Sequence, residues 1–212
     1  DIMVNDVTRD NAIIVVPGAA DLLRPQDVEK AESVIQNSSV FMTNLEVPVE
    51  TMHKGLELAR KHQVKTIFNP APAVEFPESV YPLCDYFTPN ETEAAELAGV
   101  PVSNVDEARE AARIFRERGV KTSLITLGEL GCYFMNDEGE GHVPAFDMSG
   151  KVVETTGAGD GFNGGFASAL AEGKSLDHSI RYGSATAAIS VTRLGTAPAM
   201  PVKSEIDELM NG

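Results

Sequence analysis

The run Glu154-Thr155-Thr156-Gly157-Ala158-Gly159-Asp160 joins an extended segment to a stretch in which Phe162, Phe166, Ala169 and Leu170 recur at helical spacing. A glycine turn at the mouth of a helix offers unpaired N–H groups and the positive end of the helix dipole to an anion. Glycine lets the backbone approach that anion closely. A carboxylate is normally kept away from a bound phosphate. Asp160 therefore reads either as an ordinary helix cap or as a base that works beside one. The turn is not a Walker A loop, because no Lys follows the glycines. It also lacks the Gly-x-Gly-x-x-Gly spacing of a dinucleotide fold.

Further polar groups stand at comparable places. Thr88-Pro89-Asn90-Glu91-Thr92-Glu93 sets Asn90 and Glu93 three apart at a helix start, on one face. Taken alone, that pair reads first as a cap with a first-turn acid. Ile125-Thr126-Leu127-Gly128-Glu129-Leu130-Gly131 ends an apolar strand in a glycine turn, and Asn69-Pro70-Ala71-Pro72-Ala73 is a stiff turn after another strand. Glu46 follows the short apolar run from Val40 to Leu45. Ser190-Val191-Thr192-Arg193-Leu194-Gly195-Thr196 closes a helix rich in small residues.

The elements that must position these groups alternate. A hairpin is expected from Ile2 and Val4 with Ile13 to Val16, around a polar turn from Asn5 to Asn11. Pro25 to Asn37 reads as one helix with Pro at its start. Strands follow at Val40–Leu45, Val64–Phe68, Asp85–Thr88 and Ser123–Leu127. Helices are expected at Val49–His62, Glu91–Ala98 and Val105–Arg118. Cys132–Met135 and His142–Phe146 suggest a second hairpin, and helices near 160–172, 176–193 and 203–210 complete the chain. This rhythm implies a layered α/β domain with a mostly parallel sheet. Such sheets bind ligands beyond the carboxyl ends of their strands, where Glu46, Asn69, Asn90, Gly128 and the Gly157 turn all fall.

At 212 residues the chain suits one domain with a real core, or one domain and a small appendage. A formal charge of −15 argues against nucleic acid as partner. A phosphate ligand must then be held by local amides, a few cations and a metal ion. No apolar run is long enough to span a membrane, and the first residues lack the pattern of a signal peptide. Cys84 and Cys132 lie apart in apolar stretches and read as buried, reduced thiols of a cytoplasmic protein. His53, His62, His142 and His178 show no ligand spacing.

Taken together and in order, Asn69 to Ala73, Thr88 to Glu93, Ile125 to Gly128 and Thr155 to Asp160 resemble the ribokinase branch of the PfkB-type carbohydrate kinases. The resemblance runs the length of the chain and covers the later two-thirds of a typical member. The family's early Asn-x-Asp and Gly-Gly-Lys-Gly-x-Asn segments have no counterpart. It implies a three-layer α/β/α sandwich with a mostly parallel central sheet, residues 1–16 as part of a β lid and 17–212 as the nucleotide-binding kinase core. It also implies phosphoryl transfer from ATP to a sugar hydroxyl, with D-ribose giving D-ribose 5-phosphate. The alternatives are fructokinase-like or nucleoside-kinase-like specificity, or a non-catalytic nucleotide-binding module.

By that resemblance Asp160 is the base and a substrate contact, and Gly157, Ala158 and Gly159 form the anion hole. Asn90 and Glu93 organise magnesium and its waters. Thr126, Leu127, Gly128, Glu129, Leu130 and Gly131 form the loop under the nucleotide, Ser184 stands where Asn or His often contacts it, and Glu46 takes the place of an acidic sugar contact. A potassium site would draw on Glu154, Thr156, Ser190, Arg193 and Gly195. Here Glu154 replaces a common Asp and Ala199 a Ser. The expected partners are a sugar, ATP and a second copy of the chain through the lid.

Overall fold

The computed structural model describes residues 2–4, 11–14 and 16–212. In chain order the elements are β1 (Ile2–Val4), β2 (Asn11–Ile13), α1 (Pro25–Lys30), α2 (Glu32–Gln36), β3 (Val40–Thr43) and α3 (Val49–Lys61). There follow β4 (Lys65–Phe68), β5 (Tyr86–Phe87), α4 (Glu91–Ala98), α5 (Val105–Glu117) and β6 (Thr122–Thr126). The last are β7 (Cys132–Asn136), β8 (Gly139–Val143), α6 (Ala158–Ala171), α7 (Leu176–Ser190) and α8 (Lys203–Asn211). Residues 17–142 form one compact unit, and residues 143–212 with the described part of 1–16 form another.

The first unit is built on a sheet of order β3-β4-β5-β6-β7-β8. β3 to β6 run parallel and β7 pairs antiparallel to β6. β4 and β6 are buried along most of their length, as expected of a sheet covered on its faces. α5 buries Ala108, Ala111, Ala112 and Phe115 at helical spacing, and Asn104 caps it by accepting the Glu107 N–H at 3.0 Å. An aromatic cluster fills the core: Phe87 meets Phe115 edge-on at 4.9 Å between ring centres, and Phe68 meets Phe76 at 5.2 Å. Cys84 and Cys132 are buried free thiols.

In the second unit α6 and α7 cross at close range. A side chain at Gly183 would meet the Phe162 carbonyl at 2.7 Å, and one at Gly165 would overlap Thr186. Residues 183–190 thus form the tightly packed helix that their small side chains suggest. β1 and β2 pair antiparallel, Ile2 opposite Ile13. Among the described residues, no helix is long and apolar enough to cross a membrane.

Three expected elements differ. The helix over 25–37 is two helices. The chain tightens at Ala31, whose N–H bonds the Val28 carbonyl, and Ile35 then packs with Leu58 and Ala59. The second hairpin strand is Gly139–Val143 rather than His142–Phe146. The Asn136 side chain accepts the N–H groups of Glu138 and Gly139 at 2.9 and 3.0 Å, which makes the turn shorter than its composition suggests. β2 lies at 11–13 rather than 13–16, and the expected polar turn at 5–10 lies outside the described residues.

Candidate active site

Four strand ends of the first unit are stitched together just past their carboxyl termini. The Asn69 N–H donates to the Thr43 carbonyl at 3.0 Å, and its side-chain amide donates to the Thr88 carbonyl at 2.8 Å. The Thr126 N–H donates to the Pro89 carbonyl at 3.0 Å, and Asn90 forms a parallel bridge with Thr126. This fixes the start of α4 beside the loop that follows β6. Asn69 and Thr88 have no role assigned from sequence. The signals for them are the position of a polar residue at a strand's end and their place in two of the runs that carry the resemblance.

Asn90 caps α4 reciprocally with Glu93. The Glu93 N–H donates to Asn90 Oδ1 at 2.9 Å, and the Asn90 N–H donates to Glu93 Oε2 at 2.9 Å. The Asn90 side-chain amide also reaches Glu93 Oε1 at 2.9 Å. The plain cap reading of this pair is therefore realised in full. Glu93 is buried, and that burial pushes its carboxyl up despite the Asn90 N–H bond.

Thr126 to Gly131 turn through a short 3₁₀ segment at Gly128–Leu130, closed by the Leu127 N–H on the Gly131 carbonyl at 2.8 Å. Gly128, Glu129 and Leu130 are exposed, while Leu127 is buried. The His142 ring sits 2.6 Å from the Leu130 carbonyl. Glu46 is exposed beyond β3, its N–H bonded to Asn44 Oδ1 at 3.2 Å.

The second unit carries the other predicted residues. α6 begins with Gly157 as N-cap at φ 81°, a left-handed conformation, with no side chain capping the helix. A Cβ at Gly157 would lie 3.3 Å from the Thr196 methyl, so glycine is required here by both backbone and space. Asp160 lies in the first turn of α6 and is not its N-cap, which corrects the capping alternative. The Ala158 N–H donates to the Thr155 carbonyl at 3.1 Å, so that amide is engaged within the chain. Among the described residues the Gly159 N–H has no partner, and Gly159 and Asp160 are both exposed. Asp160, Gly164 and Ser168 line one wall of a cavity of about 600 Å³, and Thr196 and Met200 line another.

Glu154 accepts the Gly195 N–H at 3.0 Å. That bond and one from Thr156 hold its carboxyl below the usual range. The Val191 carbonyl takes the N–H groups of Val153 and Glu154 at 2.8 and 3.2 Å. The loop after α7 is thus drawn against residues 153–156. The Ser190 hydroxyl is bonded to the Ala187 carbonyl at 2.8 Å, and the Arg193 guanidinium turns to Glu205 at 2.5 Å. Those two side chains are committed elsewhere, and the Ser190 carbonyl accepts the Arg193 N–H at 3.1 Å. Ser184 is half-buried on α7.

Comparison with known proteins gives a consistent picture. The family model described as pfkB family carbohydrate kinase matches residues 2–203. The chain is 38% identical over 201 residues to a ribokinase of Haemophilus influenzae, covering 95% of this chain and 65% of that relative. It is 35% identical over 202 residues to a deoxyribokinase of Salmonella typhi, with the same shares covered. The chain thus spans about 65% of the length of the curated relatives it matches. A ribokinase structure from Thermotoga maritima superposes with a TM-score of 0.86 at 35% identity, covering all of this chain and 68% of that one. The structure of Arabidopsis thaliana ribokinase complexed with ribose and ATP gives 0.89 at 27% identity, again covering all of this chain and 68% of that one.

Proposed function

Since this chain belongs to the pfkB family of carbohydrate kinases, we propose that it transfers the terminal phosphoryl group of ATP to a sugar hydroxyl, with D-ribose as the preferred acceptor. The observation that carries this reading is the uncapped glycine turn at 157–159, with Asp160 exposed in the first turn behind it. Phosphoryl transfer needs positioning and charge stabilisation more than covalent chemistry. An N–H at a helix start that is not spent on the chain itself suits a phosphoryl oxygen. The Gly159 amide is of that kind, and Ala158 supports it by holding the turn closed onto Thr155. Asp160 then accepts the proton of the attacking hydroxyl as the new O–P bond forms.

The loop from Thr126 to Gly131 supports the nucleotide, with Ser184 as a further contact, and Glu46 binds the sugar. Residues 1–16 act as part of a lid that also pairs two copies of the chain. The fold family implies magnesium, and Asn90 and Glu93 fit it through water, since both Glu93 oxygens already accept from Asn90. When bound, magnesium neutralises the nucleotide phosphates. A potassium ion fits the ionised Glu154 with carbonyls of Thr156, Ser190, Arg193 and Gly195, and supplies positive charge beside the anion hole. Ribose is favoured over deoxyribose because the identity to the Haemophilus influenzae ribokinase, 38%, exceeds that to the Salmonella typhi deoxyribokinase, 35%, and one of the structures compared holds ribose.

The test is Asp160→Asn in the full chain, assayed for ATP-dependent phosphorylation of ribose and of deoxyribose. Loss of the base lowers the rate by about 100- to 10,000-fold with ATP binding retained. Unchanged turnover sinks the assignment.

A further inference from the structure

The opposite ends of the same strands carry a second concavity, of about 460 Å³. Lys65, Tyr86 and Thr122 are the first residues of β4, β5 and β6, and all three line it. Tyr86 is in register with Thr122 and Ile67 with Tyr86, so Lys65 stands two residues nearer the strand starts than that row, on the same strand face as Ile67. Arg60, from the last turn of α3, and Lys121 complete the wall.

The charges there do not balance. Asp85 is the only acid lining the cavity. Its Oδ2 is spent on the Thr66 N–H at 2.9 Å. Its Oδ1 is shared by Arg60 at 2.9 Å and Lys121 at 2.7 Å. Lys65 is exposed and has no ion pair among the described residues. Three cations therefore face one carboxylate whose acceptor sites are filled, in a chain whose formal charge is −15. Burial first, then Asp85 and Glu138, pushes the Tyr86 phenol up. The lining also includes Gln63, which holds a left-handed backbone at φ 59° where glycine is the usual residue after a helix.

We propose that this cavity is a binding site for a phosphate dianion, free or as the monoester of a small molecule, seated on Lys65, Lys121 and Arg60. Asp85 holds two of the cations in place without satisfying their remaining donors. A guanidinium and two ammonium groups match the acceptor oxygens of a phosphate. The site is separate from the strand ends that carry Asn90 and Thr126, so it does not depend on the kinase reading.

Titration calorimetry on the full chain with inorganic phosphate and with glycerol 3-phosphate tests it, using Lys65→Ala as the variant. Lys65 is exposed and unpaired among the described residues, so its removal leaves the Asp85 ion pairs intact. The expected result is binding by the wild type that weakens about fivefold to tenfold in the variant and falls with added salt. The more tightly held of the two probes identifies the source. Failure of the wild type to bind either probe, or equal affinity in Lys65→Ala, overturns the proposal. Neither result touches the kinase reading, which stands or falls on Asp160→Asn. Phosphate held only at the Gly157 turn would appear as affinity insensitive to Lys65.

Discussion

Two helix starts in this protein begin from the same physical situation and end differently. Both α4 and α6 follow a turn, carry an acid at the third helical position and begin with N–H groups that have no intrahelical acceptor. At α4 the chain satisfies itself. Asn90 and Glu93 bond each other through backbone and side chain, and the carboxyl is buried in the process. At α6 no side chain caps the helix, and its acid is exposed. The start of a helix is capped by side chains in one case, and in the other the Gly159 N–H has no partner among the described residues. An acid at a helix start is thus no mark of chemistry until its partners are known.

The contrast can be broken most strongly at Gly157. Gly157→Ala forces a side chain into a left-handed backbone and against Thr196, and should cost about 1–3 kcal/mol of stability. It should also abolish most ATP-dependent transfer, as chemical denaturation and a rate assay on one preparation would reveal. Gly99 at the far end of α4 is the control. Its φ is 72°, but nothing lies within 4 Å, so Gly99→Ala pays only the backbone strain.

The closed start is probed next. Glu93→Ala leaves the Asn90 N–H without its acceptor and should destabilise by about 1–2 kcal/mol in denaturant titration. A wild-type denaturation midpoint in that variant would mean the reciprocal cap contributes nothing.

The smallest effect is one of pH, and its sign differs between the two regions. Burial raises the Glu93 carboxyl, so the folded state holds that proton more tightly than the unfolded one. The stability it contributes is present below the unfolded pKa and is lost as pH rises through the folded one. Glu154 is opposite. The Gly195 N–H and Thr156 lower its pKa, so its contribution is present above the unfolded value and fades as pH falls through the lowered one. Thermal melts of Glu93→Gln and Glu154→Gln across the acid range should therefore change slope in opposite directions. Parallel changes would refute the assigned causes.

How far these features were legible depends on how local they are. α4 was read to the residue, since Asn90 starts it and Gly99, at φ 72°, stops it. The break at Ala31 was not, because an unbroken apolar spacing over 25–37 carries no signal for where a helix tightens against its neighbours. The glycine demanded at 157 was visible as composition, but its contact with Thr196 was not.

What the chain's own pattern determined is the order of strands and helices, the polar residues waiting at strand ends and the turn that opens α6. Those follow from spacing within a few residues, where backbone geometry alone decides neighbours. Tertiary structure alone decided that Gly195 bonds Glu154 across 41 positions, and that Arg60 and Lys121 converge on one oxygen of Asp85. Such meetings depend on which strands lie side by side, and strand order is fixed by packing rather than by any local signal.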